Sequence, residues 1–334
     1  MKQSVKFMMG VAAAAVMAGA GFSTHAAAEE LTVAYFLEWP TPNQFAQANG
    51  LYEEALGMKV NWVSFDAGTA MSAAMASGDV QISFSQGIPP FVVATSAGQD
   101  LQVVDVAVSY SDNDNCVVRS NLEITKDNAK ELEGKEVGVP LGTAAHYGFL
   151  KQMAHFGVDV STMKVVDMSP PDGAAAFANG NLDMVCGWGG ALRRMKEHGN
   201  VLLNGAEKEA LGIKVFDATT VSTAWAKEHP EVLAKFLKVT ADMNAKYAGG
   251  GAEEMLPVLA KAAGMDEAAT KDTLAGFAFP TVDEMLSPEW LGGGTQTFLK
   301  EVADFFVAQG TIDKARDSYD SAVDASYLEA ASKM

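Results

Sequence analysis

Two short stretches constrain this chain more than anything else in it. Ala74-Met-Ala-Ser-Gly-Asp-Val-Gln-Ile82 and Ala176-Phe-Ala-Asn-Gly-Asn-Leu-Asp-Met184 align without a gap, 102 residues apart. At similar offsets Val33–Tyr35 matches Val137–Val139, and Lys59-Val60 matches Lys164-Val165. Solenoid repeats run at roughly 20–50 residues, so a period this long predicts two α/β lobes of similar construction. Around the first copy, Leu31–Phe36, Lys59–Val63 and Val80–Phe84 read as strands. Gln44–Leu56, Ala67–Ala76 and Phe91–Ala97 read as the helices between them. Strands alternating with helices at this spacing predict βαβ units and a mostly parallel sheet. Ligands of open α/β sheets bind beyond the carboxyl ends of the strands, so two such lobes face to face enclose a cleft.

After Val201-Leu-Leu203 and Gly212–Phe216 the pattern changes to helices at Pro230–Tyr247, Glu253–Ala263, Asp266–Phe277 and Thr295–Gln309, with a short one near Ser318–Ala331. In the first of these Val232, Phe236, Val239 and Met243 share one face. This all-helical third is expected to pack back on the first lobe. The chain then crosses between lobes twice, near Asn115–Arg119 and near Phe216–Thr220, as a two-strand hinge. The expected division is lobe I at 29–115 and 218–334 and lobe II at 116–217.

Residues 1–28 read as a leader outside the fold. Lys2 and Lys6 make a basic start, Phe7–Phe22 an apolar and small-residue core, and Ala26-Ala27-Ala28 a signal-peptidase site. The core is too short to span a bilayer, and no later stretch approaches eighteen uninterrupted apolar residues. Export without an anchor or a lipobox cysteine points to a periplasm. Without the two leader lysines the formal charge goes from −18 to −20, which argues against nucleic acid or an anionic membrane as partner. Arginine occurs only at 119, 193, 194 and 316, so no arginine clamp for an anion is advertised. Cys116 and Cys186 each begin or lie inside an apolar run. They read as two buried thiols, with a disulfide across neighbouring strands as the alternative.

Glu136–Met153 is the stretch richest in chemistry. Val137–Val139 is a strand, Leu141–Ala145 a small-residue turn, and from His146 the positions Tyr147, Leu150 and Met153 recur at helical spacing. A strand, a turn and an open helix start aim several main-chain N–H groups at one point, where the helix dipole also favours negative charge. Thr143 occupies the capping position. The segment reads as a cradle for a small anion, or else as a plain structural corner. An enzyme is not expected. No G-x-S-x-G elbow or H-E-x-x-H spacing occurs, and His146, His155, His198 and His229 make no ligand set, so neither metal nor cofactor is anticipated.

Taken in order, Gly78-Asp-Val-Gln-Ile82, Gly142-Thr-Ala-Ala-His-Tyr147, Ser169-Pro-Pro171 and Lys227-Glu-His-Pro-Glu231, with the leader, resemble the taurine and aliphatic-sulfonate binding proteins of ABC importers. The match covers nearly the whole mature chain and is closest to the taurine branch. The resemblance implies a type II periplasmic-binding fold, two Rossmann-like lobes with the ligand at the hinge. It also implies a monomer that delivers its ligand to a membrane permease with an ATPase. By the same resemblance Ser85, Gln86 and Gly87 at one helix start, and Thr143, Ala144 and Ala145 at the other with His146 beside them, supply donors to a sulfonate. Asp217 receives the ligand's ammonium and Trp188 faces the cleft. The chain departs from the pattern at Phe36-Leu-Glu-Trp-Pro40, one residue longer and bulkier, and at Asp112-Asn-Asp-Asn-Cys116.

A sulfonate stays charged and needs donors once dehydrated. The ammonium needs a fixed acceptor, for which Asp114 (beside Asn115) and Glu38 are alternatives to Asp217. Phe36, Trp39, Trp188, Tyr35 and Tyr147 are expected to wall off water. Trp39 beside Trp188 offers a second reading, an aromatic cage for a methylated ammonium or sulfonium zwitterion of betaine type.

Overall fold

The strand-type runs pair into two separate sheets. The structure, a computed structural model, describes residues 30–110 and 112–334; the expected leader lies outside the described residues. In chain order the strands are β1 (Glu30–Tyr35), β2 (Lys59–Ser64), β3 (Ile82–Gly87), β4 (Leu101–Tyr110), β5 (Asp114–Arg119), β6 (Glu136–Val139), β7 (Lys164–Asp167), β8 (Met184–Trp188), β9 (Gly199–Val201), β10 (Phe216–Ser222) and β11 (Phe277–Ala278). The first sheet has the order β11-β4-β10-β3-β1-β2 and the second β7-β6-β8-β5-β9.

The internal repeat is visible in this topology. β2-β1-β3 and β7-β6-β8 are the same parallel triplet, with Val33 set against Trp62 and Ile82, and Val137 against Val165 and Met184. Both central valines are fully buried, as in a sheet covered on both faces. The helices Gly68–Ser77 and Pro170–Ala178 enter the third strand of each triplet through a glycine at φ +84°, Gly78 and Gly180. That left-handed conformation is what the glycine in each nine-residue copy is for. Each triplet is extended by an antiparallel strand next to its third member, β10 beside β3 and β5 beside β8.

The sheets divide the chain a few residues away from the expected points. Asp114 and Asn115 lie in β5 of the second sheet, and Phe216 and Asp217 in β10 of the first. The expected helix Gln44–Leu56 is two, Asn43–Ala48 and Leu51–Leu56, because Gly50 takes φ +70° between them. Helix Pro230–Lys246 buries Leu233, Phe236, Leu237 and Thr240, and leaves Val232, Val239 and Met243 only partly covered. Its buried stripe is thus turned by about one position from the expected face. Tyr52 fixes that stripe to the first sheet's helices. Its ring stacks on Phe236 at 4.7 Å, and its hydroxyl shares a 2.7 Å hydrogen bond with Thr240.

Cys116 and Cys186 are bonded to each other, which overturns the reading as two thiols. They stand directly opposite in the antiparallel β5–β8 pair, two residues from the Asp114–Trp188 pair. Adjacent strands brought both sulfurs to one point, something their spacing of 70 residues in the chain does not reveal.

Candidate functional site

The carboxyl ends of β3 and β8, the end of β4 and the starts of β5 and β10 converge on one small, partly open space of about 20 Å³. Its walls are Phe36 and Trp39 from the loop after β1, Tyr110 from β4, and Trp188 from β8. Gly68, Gly87 and Pro90 come from the first-sheet side, and Thr143 and Ala144 from the start of helix Ala144–Phe156. Two carboxyl groups complete it, Asp114 and Asp217. Contributions come from both sheets, so the space lies between them. At about 20 Å³ it has room for little more than a water and lies far below the roughly 300–1,000 Å³ of clefts that take drug-sized molecules, so a ligand enters only where its walls part.

One wall of the space is the start of the helix Ala144–Phe156. Thr143 caps this helix, its hydroxyl accepting from His146 N at 3.4 Å and donating to the carbonyl of Pro140 at 2.6 Å. The first-turn N–H groups of Ala144 and Ala145 have no partner within a helix and point out of its start, where the dipole favours an anion. Gly87 matters because of what a side chain there meets. A Cβ would lie 3.4 Å from an Asp217 oxygen and 3.8 Å from the Ala144 methyl. Replacing Thr143 by alanine is expected to lower stability by about 1 kcal/mol, read as a small fall in the urea midpoint.

Asp217 is 3% exposed and bonded on both oxygens, to the Tyr110 hydroxyl at 2.7 Å and the Ser85 hydroxyl at 3.0 Å. Ser85 in turn accepts from the Trp39 indole N–H at 3.2 Å, which fixes that ring over the pocket. Burial raises the Asp217 carboxyl to about 7 against the pull of these two hydrogen bonds, with neighbouring Asp114 adding to the rise. Asp114, 2% exposed, is also raised to about 7 by burial, although Lys208 opposes this. Lys208 reaches it from behind, its ammonium donating to the Asp114 main-chain carbonyl. No lysine or arginine is among the residues that line the space.

The sequence-expected residues divide by position. Phe36, Trp39, Gly87, Asp114, Thr143, Ala144, Trp188 and Asp217 all line the space. Ser85 stands behind Asp217 and acts through it. Gln86 is wholly buried and committed to the protein, donating to Gly68 O and Ser72 and accepting from Thr220. Asn115 faces the other way, donating to Leu203 O and accepting from Gln152 and from Cys116 N. Ala145 is buried just beyond the rim. His146 accepts from Gly142 N at 3.2 Å and packs on Phe306, and burial lowers it to about 4, so it is neutral and turned from the ligand space. Tyr147 lies among Phe298, Phe305 and Phe306, and Tyr35 stands edge-on to Trp62. Neither walls the pocket.

Glu38 is not an acceptor inside the space. It forms an ion pair with Arg194 across the outer mouth, one of its N–O contacts being 3.0 Å. Gly190 N donates to the Glu38 carbonyl at 3.1 Å, and a Cβ on Gly189 would come within 2.4 Å of that oxygen. The long first loop is therefore seated on the helix Gly189–Lys196 of the second sheet, where only glycine permits so close an approach. Tyr110, Gly68 and Pro90 were missed by the sequence reading. Tyr110 had one signal, an aromatic closing the apolar run Leu101–Val108; the other two had none.

A model of the family described as NMT1/THI5 like matches residues 41–248. The chain is 27% identical to the taurine-binding periplasmic protein of Escherichia coli (strain K12), covering 91% of this chain and 94% of that one. Among solved structures it is similar to the alkanesulfonate-binding protein SsuA from Xanthomonas axonopodis pv. citri bound to MOPS. The TM-score is 0.70 at 22% identity, over 85% of this chain and 94% of that one. The desulfurization enzyme DSZB has a related backbone, with a TM-score of 0.62 at 13% identity over 91% and 99%. These likenesses assign the mixed α/β fold of periplasmic binding proteins. By the match over more than half its length, the chain belongs to the NMT1/THI5-like family.

Proposed function

We propose that this protein is the solute-binding component of an ABC importer, a periplasmic monomer that takes taurine or a related small sulfonate between two lobes and delivers it to a membrane permease with its ATPase. The observation that carries the reading is the make-up of the lining. The start of helix Ala144–Phe156 forms one part of it and the buried carboxyl groups Asp114 and Asp217 another, with no cationic side chain among the lining residues. That is the complement of a small zwitterion whose anion is gripped by the backbone. The relatives' names support the sulfonate, and among the described residues no helix is long and apolar enough to cross a membrane. The lobes of this reading follow the two sheets, with linkers at 112–113 and 213–215 as hinge and the C-terminal helices on the first lobe. The leader at 1–28 is removed on export. The reading assigns binding and no turnover, although DSZB is an enzyme on a related backbone. The betaine alternative gains nothing from the named relatives, and two buried carboxyls suit a hydrogen-bearing cation better than a methylated one.

Taurine has about seven heavy atoms, and at a ceiling near 1.5 kcal/mol each its binding does not exceed about 10 kcal/mol, a dissociation constant of tens of nanomolar at best. Titration calorimetry with taurine, ethanesulfonate and glycine betaine tests the reading. The expected result is binding of taurine at micromolar affinity or tighter, accompanied by compaction in solution scattering. Heat from betaine alone, or from none of the three, overturns it.

A further inference from the structure

The geometry points to Asp114 as the residue that selects the ligand's cationic end, sharing with Asp217 a nitrogen that must carry at least two hydrogens. This rests on the zwitterion reading above and specifies which zwitterions are accepted. The two carboxyl groups line one space but arrive from different sheets, Asp114 at the start of β5 and Asp217 near the start of β10. Their hydrogen bonding is unequal. Asp217 already accepts from Tyr110 and Ser85 on its two oxygens. Asp114 Oδ2 is buried with no hydrogen-bond partner at all.

A buried carboxylate oxygen without a donor is costly, and of the buried unpartnered side-chain atoms among the described residues this is the one on a residue that lines the space, where a ligand can supply the donor. The charged groups around it leave that role vacant inside the protein. Lys208 spends a donor on the Asp114 main-chain carbonyl, Tyr110 and Ser85 donate to Asp217, and no other charged side chain lines the space. Two carboxylates that line one space and feel each other's charge also repel when both are ionised. A primary ammonium or a guanidinium placed between them removes that repulsion and donates to both. A trimethylated nitrogen carries the charge but offers only C–H to Asp114 Oδ2, and an amine-free sulfonate offers nothing. The cation therefore ties the two sheets together, which is the differential contact that ligand-driven closure requires.

The test is calorimetry on the mature protein and its Asp114→Asn variant with three probes that differ only at the cationic end: taurine, ethanesulfonate and N,N,N-trimethyltaurine. Wild type is expected to favour taurine over both others. In the variant the preference of taurine over ethanesulfonate falls by roughly 10–150-fold, the worth of a hydrogen bond to a charged group. Ethanesulfonate itself binds the variant as well as wild type or better, because a negative charge has gone. That result also shows that the variant is folded. An Asp114→Asn protein that keeps the full taurine preference overturns the inference and leaves the sulfonate reading intact, as does a wild type that binds trimethyltaurine as tightly as taurine. If no sulfonate binds wild type, the sulfonate reading fails. Titration with β-alanine against propionate then decides the carboxylate claim: a preference for β-alanine that the variant loses upholds it, and absence of preference or of binding overturns it.

Discussion

Replacing Cys116 and Cys186 together by alanine is expected to lower the stability of the protein by about 4 kcal/mol. The bond closes a loop between residues 70 apart in sequence. Loss of the restraint this places on the unfolded chain is worth about that much by the chain-entropy relation, within an observed span of roughly 2–5 kcal/mol. Two alanines also leave a small gap in a fully buried spot, since both cysteines are 1% exposed. The consequence reaches the site because of register. Asp114 pairs with Trp188 two residues from the bond, and both line the ligand space. Urea unfolding of the double variant, beside wild type with and without reductant, measures the effect. A midpoint that neither the substitution nor reduction moves sinks the expectation.

The second large effect is on pH, and its sign is opposite to ordinary acid denaturation. Burial raises Asp114 and Asp217 from 3.8 to about 7, and Asp105, which accepts from Thr219 N inside the first sheet, to about 6. A carboxyl whose folded pKa lies above its unfolded one holds a proton in the native state that the unfolded chain has released. Its contribution is therefore complete below about pH 4 and is lost as pH rises through about 6 to 7. His146 works the other way. Burial lowers it to about 4, so the unfolded chain takes up a proton first and stability falls as pH drops below about 6.5.

Each group contributes about 1.4 kcal/mol per pH unit inside its window, so three carboxyls outweigh one histidine. The ligand-free protein is expected to be more stable near pH 5 than near pH 7, by at least about 2 kcal/mol. The Asp114→Asn, Asp217→Asn double variant loses most of that slope, and a saturating aminosulfonate flattens it in wild type by favouring the ionised pair. Urea midpoints across this range check it, and a wild-type midpoint that rises from pH 5 to pH 7 contradicts it.

Much of the architecture was legible because it is local and periodic. Alternating strand and helix patterns set the two α/β triplets. The nine-residue copies share a glycine that the structure holds in the left-handed region at Gly78 and Gly180, and Thr143 announced the cap of the cradle helix. Of the pocket, Thr143 and Ala144 were legible at a helix start, while Gly87, Trp188 and Asp217 came from the family resemblance; all five line the space.

What the chain alone did not give is which of several candidates turn inward. On paper Asp217 was the acid assigned to the ammonium, with Asp114 and Glu38 as alternatives. In space Glu38 is drawn to Arg194 at the mouth, Asp217 is bonded to Tyr110 and Ser85, and only Asp114 is left with a bare oxygen in the pocket. Asn115 and Gln86, beside pocket residues, point away because alternate residues of a strand face opposite sides of the sheet. The disulfide and the approach of Tyr110 to Asp217 depend on which strands became neighbours, β8 with β5 and β10 with β4. Sequence determined the elements and the small residues at their ends. Tertiary pairing across distant strands decided which side chains meet, because that choice is made by burial and register over separations that no local pattern encodes.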